Sequence, residues 1–133
     1  MDDQHFESIE DISVRAVKYV QYGKYEKIKE MLCGGLCSPQ AVDSNNCSLL
    51  HWAAINDRVD IAKLLLMKGA SVNALSSELN ENPLQWAVRN EKHLAMTKLL
   101  MDAGCDPRHK NLGGFDSLAL ACYLGNIDIS YFL

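Results

Sequence analysis

The sequence predicts an all-α solenoid: stacked helix-turn-helix units joined by finger loops. Three observations predict it. First, Ser48-Leu49-Leu50-His51-Trp52-Ala53 returns as Asn82-Pro83-Leu84-Gln85-Trp86-Ala87 and again as Asp116-Ser117-Leu118-Ala119-Leu120-Ala121, each copy 34 residues after the last. Second, an apolar segment follows each copy: Val59 to Leu65, Leu94 to Leu100 and Ile127 to Leu133. Third, glycines close the first two of these at Gly69 and Gly104, and Tyr25 to Leu32 closing at Gly35 is an earlier copy.

Residues 1–11 hold Asp2, Asp3, Glu7, Glu10 and Asp11 with little periodicity and read as a solvated acidic tail. Residues 12–133 read as repeats: a degenerate capping unit at about 12–42, units at about 43–76 and 77–110, and a truncated unit at about 111–133. In the capping unit Arg15, Lys18, Lys24, Lys27 and Lys29 suit an outer face that meets water. Each full unit opens on a small polar N-cap (Ser48, Asn82 or Asp116), with Pro83 at the first helical position of one of them. Ala53 and Ala54 keep the first helix thin. Asn56-Asp57-Arg58 turns the chain, and Val59, Ile61, Ala62, Leu64, Leu65 and Leu66 give the second helix a wide apolar face. Gly69 supplies the left-handed position that ends it. One extra residue enters the helix-helix turn near Asn90-Glu91-Lys92. At the other end the register sets Leu133 against Leu65, so an uncapped apolar face is expected there. That face predicts either a continuing array or an end-to-end dimer.

Composition narrows the function. With 133 residues, 48% hydrophobic and 23% charged, the chain suits one globular unit, and a net charge of −4 lacks a nucleic-acid footprint. No apolar run approaches the ~20 residues of a membrane helix, and no signal peptide opens the chain. Five cysteines show no disulfide framework and no paired zinc knuckles, so they read as small apolar residues of a reducing compartment, with no metal and no cofactor. The histidines, Gly34-Gly35 and Gly113-Gly114 form no catalytic or phosphate-binding signature. Gly114 reads as a positive-φ finger turn, and His51 as a buried histidine bonding turn backbone between repeats.

The pattern is similar to the ankyrin repeat, with its Thr-Pro-Leu-His-x-Ala signature. Leu49 replaces the Pro of the signature, Gln85 replaces its His, and the third copy keeps only Leu118 and Ala121. In register, the position after the His reads Lys18, Trp52, Trp86, Leu120, and four residues on it reads Tyr22, Asn56, Asn90, Leu124. In ankyrin stacks this ladder faces the concave groove, which makes Asn56, Trp86, Trp52, Asn90 and Tyr22 the candidate peptide-binding residues. Tryptophan is a large rigid anchor enriched at hot spots, and asparagine offers donors and an acceptor to a peptide backbone.

A closer resemblance rests on Gln21-Tyr22-Gly23-Lys24-Tyr25-Glu26, Leu49-Leu50-His51-Trp52-Ala53-Ala54-Ile55-Asn56 and Glu78-Leu79-Asn80-Glu81-Asn82-Pro83-Leu84-Gln85-Trp86-Ala87. These resemble the ankyrin-repeat DHHC palmitoyltransferases of the huntingtin-interacting type. The family has His where Gln85 stands and Gly-His where Lys92-His93 stands. The resemblance implies a cytosolic recruiting domain of a Golgi-associated, multi-pass S-acyltransferase. Its groove would bind short disordered motifs ending in Gln-Pro through residues matching Asn56 and Trp86, with the catalytic segment elsewhere. The competing expectation is a free-standing ankyrin adaptor or inhibitor with no enzyme attached.

Overall fold

The computed structural model describes residues 9–89 and 92–133. Eight helices follow in pairs: α1 (Ile9–Gln21) and α2 (Tyr25–Cys33), α3 (Leu49–Ile55) and α4 (Val59–Met67), α5 (Pro83–Ala87) and α6 (Leu94–Asp102), α7 (Ser117–Tyr123) and α8 (Ile127–Phe132). The helix α1 opens inside the segment read as a tail. The first helices α1, α3, α5 and α7 pack in one row and α2, α4, α6 and α8 in the other, each pair also packing within itself. This is the predicted all-α solenoid, with one isolated bridge, Val42 to Ser48, as the only β pairing among the described residues.

Local chemistry places the helix ends where the repeat demands. Ser48, Asn82 and Asp116 all cap, accepting from the backbone N–H of His51, Gln85 and Ala119. Gly35, Gly69 and Gly104 take φ of 74°, 94° and 97°. The amides that follow two of these, Ala70 and Cys105, bond back to Leu65 and Leu100 at 2.9 and 3.0 Å, which closes the Schellman turn. Gly114 also has positive φ, as expected.

The core runs unbroken between the helix rows. Leu49, Leu50, Ile61, Leu65, Leu84, Met96, Leu100 and Ile129 are fully buried, each worth about 1.5–3 kcal/mol relative to exposure. Ala53, Ala54, Ala62, Ala87 and Ala121 are also sealed, which lets the helices approach closely. Side chains heading the second helices reach back to the previous unit. Arg58 donates to the Gln21 carbonyl at 2.8 Å across Gly23, and Asn126 donates to the Val88 carbonyl at 2.7 Å. The fingers are laced together as well: the Gln40 amide pairs with Gly69 and Ser71, and Asn73 pairs with Gly104 and Asp106.

The cysteines divide. Cys37, Cys47 and Cys105 are buried, as expected of apolar fillers, and burial pushes the Cys47 and Cys105 thiols up to about 11. Cys33 and Cys122 are exposed, which corrects the reading of all five as packing residues: Cys33 ends α2 beside a turn, and the Cys122 thiol near the end of α7 reaches the Ser130 hydroxyl of α8 at 3.5 Å. At the last unit Tyr123, Leu124, Ile127, Tyr131 and Phe132 are exposed.

Candidate peptide-binding groove

The groove lies between the second and third units. It is a hollow of about 330 Å³ lined by the apolar Trp52, Ile55, Leu79 and Trp86, by the polar Asn45, Ser76, Glu78, Glu81 and Arg89, and by Cys47. Capping fixes both indoles: Trp52 follows His51 at N3 of α3, and Trp86 follows Gln85 at N3 of α5. The two rings meet edge to face with centroids 5.4 Å apart at 89°, and Trp86 also stands 4.9 Å from the His51 ring. Such pairs favour this geometry because the positive ring edge meets the negative face.

The two tryptophans differ in their polar handles. The Trp52 indole N–H donates to the Asp43 carboxylate at 3.0 Å, and that carboxylate also accepts from the amides of Asn45 and Cys47. Trp52 is therefore a fixed wall. The Trp86 indole N–H has no hydrogen bond among the described residues, and its ring is half-buried at an open hollow. It remains a donor for a ligand.

Beneath Trp86 the units are locked together. The Nδ1 of His51 accepts from the Ser48 amide at 3.2 Å, so Nε2 carries the proton and donates to the Glu81 carbonyl at 2.8 Å. Burial holds the His51 ring below its ordinary pKa of 6.5, against the opposing pull of the Glu81 carbonyl and of the Glu81 and Asp43 carboxylates. This is the bond between repeats expected of His51. One unit on, Gln85 does the same work: Oε1 accepts from the Asn82 amide at 2.8 Å, while Nε2 donates to the His109 and Phe115 carbonyls at 3.0 and 2.9 Å.

The other expected groove residues are spread out. Asn56 caps α3, and its amide donates to the Trp52 carbonyl at 2.9 Å; it is not among the residues lining the hollow. Tyr22, at the first unit, is 70% exposed and also stands apart from the hollow. Asn90, with most of the inserted turn, lies outside the described residues. The ladder also breaks at its fourth rung, because Leu120 turns into the core at 6% exposure. An aliphatic side chain has no polar tip to hold it at the surface.

Sequence reasoning missed the polar wall. Glu81 is 2% exposed, and both of its oxygens receive the Arg89 Nη2 at 2.7 Å, while Asn111 of the next finger donates to Oε2 at 2.8 Å. No periodicity marks finger residues. The available signal was a Glu immediately before a helix cap, with Arg eight positions on.

A stack of capped helix pairs locked by a buried His is matched over residues 15–111 by the family model for ankyrin repeats in three copies. The chain belongs to the ankyrin-repeat family. Ankyrin repeats are units of protein-protein interaction. The chain is 47% identical over 105 residues to the human palmitoyltransferase ZDHHC13, covering 79% of this chain and 17% of that protein. It is also 47% identical over 98 residues to the Drosophila melanogaster palmitoyltransferase Hip14, covering 74% and 15%. Over 91 residues it is 47% identical to the human palmitoyltransferase ZDHHC17, covering 68% and 14%. The resemblance to ankyrin-repeat palmitoyltransferases read from the sequence is borne out. The chain spans less than a fifth of the length of these curated relatives. Among the described residues no helix is long and apolar enough to cross a membrane.

Proposed function

We propose that this ankyrin stack is a recruiting module that grips short, extended, disordered protein segments in the groove between its second and third units. It would act as the cytosolic part of a membrane S-acyltransferase on the Golgi or other endomembranes. One observation carries the reading: Trp86 stands half-buried at an open hollow, braced by two rings and with its indole N–H unspent. A rigid aromatic held this way loses little entropy on binding and presents both a stacking face and a donor. An extended segment with a proline suits such a site, because its backbone is already restricted and its flat ring packs on an indole. The preferred ligands are segments containing Gln-Pro, read by Trp86 in the hollow and by Asn56 at the end of α3. Asn56 spends its amide on the Trp52 carbonyl and keeps its side-chain oxygen to accept a ligand N–H.

The test is binding of a fluorescent, end-capped Gln-Pro dodecapeptide to the wild type and two variants. Trp86→Ala weakens binding by about 2 kcal/mol or more. Asn56→Ala weakens it by about 1–3 kcal/mol. Wild-type affinity in both variants, with unchanged circular dichroism, removes the groove reading.

A further inference from the structure

We propose that Arg89 is a ligand-binding residue of the groove, held by Glu81 so that one of its remaining N–H groups donates to a main-chain carbonyl of the bound segment. The inference rests on the groove reading above and names the ligand group that the polar wall takes.

The geometry is that of a prepositioned donor. Both hydrogen bonds from Arg89 to Glu81 leave from the same nitrogen, Nη2. Guanidinium carries five N–H groups in a planar fork, so the separate donors on Nη1 and Nε remain. Neither of those nitrogens has a hydrogen bond among the described residues, and the Arg89 side chain, 34% exposed, lines the same hollow as the indoles. Glu81 cannot follow a ligand. It is sealed, Asn111 holds its carboxylate from the next unit, and its main chain is pinned to Ser76 on both sides and to His51. Glu81 is thus a positioning residue, and the rotamer freedom Arg89 would lose on binding is largely lost beforehand.

Charge selects the acceptor. Glu78, Glu81 and Arg89 leave the lining of the hollow with a net charge of −1, and Asp43 stands behind Trp52. A ligand carboxylate at Arg89 would meet this field unfavourably, whereas a neutral carbonyl takes the same hydrogen bond without that repulsion. The acceptor is therefore a peptide carbonyl, a group every extended segment offers. Arg89 reads extension, and the indoles read the side chain.

The experiment uses the capped Gln-Pro dodecapeptide, with Trp86→Ala as the control for the groove itself. Arg89→Lys keeps a cation on Glu81 but lacks the planar fork that aims a further N–H into the hollow, so it weakens binding about tenfold, the scale of one charge-assisted hydrogen bond. In the wild type, peptide addition shifts the Arg89 Nε–H resonance in ¹⁵N spectra, a readout that a purely structural arginine would not move. A peptide with Glu in place of the Gln binds several-fold more weakly. If Arg89→Lys binds like the wild type and the resonance stays still while Trp86→Ala loses binding, the inference is overturned and the groove stands. Tighter binding of the Glu peptide also overturns it, because the acceptor would then be a carboxylate. If Trp86→Ala retains full affinity, the groove reading falls and the inference falls with it.

Discussion

The second and third units solve one problem with different side chains. Each must satisfy the amide of its own N-cap and at the same time hold a carbonyl of the next finger. The second uses a neutral imidazole, with Nδ1 accepting from Ser48 and Nε2 donating to Glu81. The third uses an amide, with Oε1 accepting from Asn82 and Nε2 donating to His109 and Phe115. The fourth keeps only half of the device: Asp116 accepts from Ala119, whose methyl group returns nothing. What matters at this position is therefore an acceptor and a donor about one ring-width apart. The two solutions differ in that imidazole titrates near neutrality and an amide does not.

Truncation tests the equivalence most severely. His51→Ala and Gln85→Ala each orphan a buried cap amide and remove the side-chain hydrogen bond to a carbonyl of the next finger, and each is expected to cost about 3 kcal/mol. Urea unfolding followed by circular dichroism measures both. A cost under about 1 kcal/mol at either site would show that its lock is dispensable.

Exchange isolates the difference. The folded-state pKa of His51 lies below its ordinary 6.5 because of desolvation. As pH falls through about 6.5 the unfolded chain therefore takes up a proton that the folded chain resists, and stability falls with it. Above that range this contribution is flat. Protonation would also turn Nδ1 into a donor facing the Ser48 N–H. His51→Gln keeps both bonds, so stability at pH 7.5 stays within about 1.5 kcal/mol of the wild type, and the decline between pH 7.5 and 5.5 becomes shallower. Gln85→His steepens that decline. Parallel melting curves across this range check both, and identical slopes in all three proteins would place the titration elsewhere.

The comparison also shows what was legible in the sequence and what was not. The lock of the third unit was written as Asn82-Pro83-Leu84-Gln85, a cap residue followed three positions later by Gln, which is itself a capping-box pattern. Reading Gln85 only as a departure from His hid an equivalence that rests on atom positions. The caps, the C′ glycines and the two indoles were legible because one residue at one offset decides each. Glu81 and Arg89 were not legible, because their partnership depends on how a finger folds over the following helix. The side chain of Asn56 was placed on the right helix end, but its turn toward the Trp52 carbonyl is a local hydrogen-bond choice that spacing does not encode. Leu120 shared the register of the tryptophans and went inside, because register sets a direction and side-chain chemistry decides depth.

The smallest predicted effect separates the second unit from its neighbours at the turn leaving the first helix. The first and fourth units place Gly23 and Gly125 there, with φ of 70° and 78°. The second places Asp57 with φ of 57°, a left-handed conformation that is awkward for a residue with a Cβ. The Arg58 amide bonds to the Ala53 carbonyl at 2.9 Å, just as Lys24 bonds to Tyr19 and Asn126 to Ala121, so the turn is the same and only the residue differs. Asp57 is exposed, and its side chain makes no hydrogen bond among the described residues. Asp57→Gly removes the left-handed strain and adds freedom to the unfolded chain. These effects oppose each other, and the strain is the larger because aspartate tolerates this region less well than glycine does. The expected gain is about 0.5 kcal/mol, visible as a small rise in the urea midpoint at unchanged slope. A fall in the midpoint would mean that the aspartate stabilises the turn through its charge, and the second unit would then differ from its neighbours there by more than inherited strain.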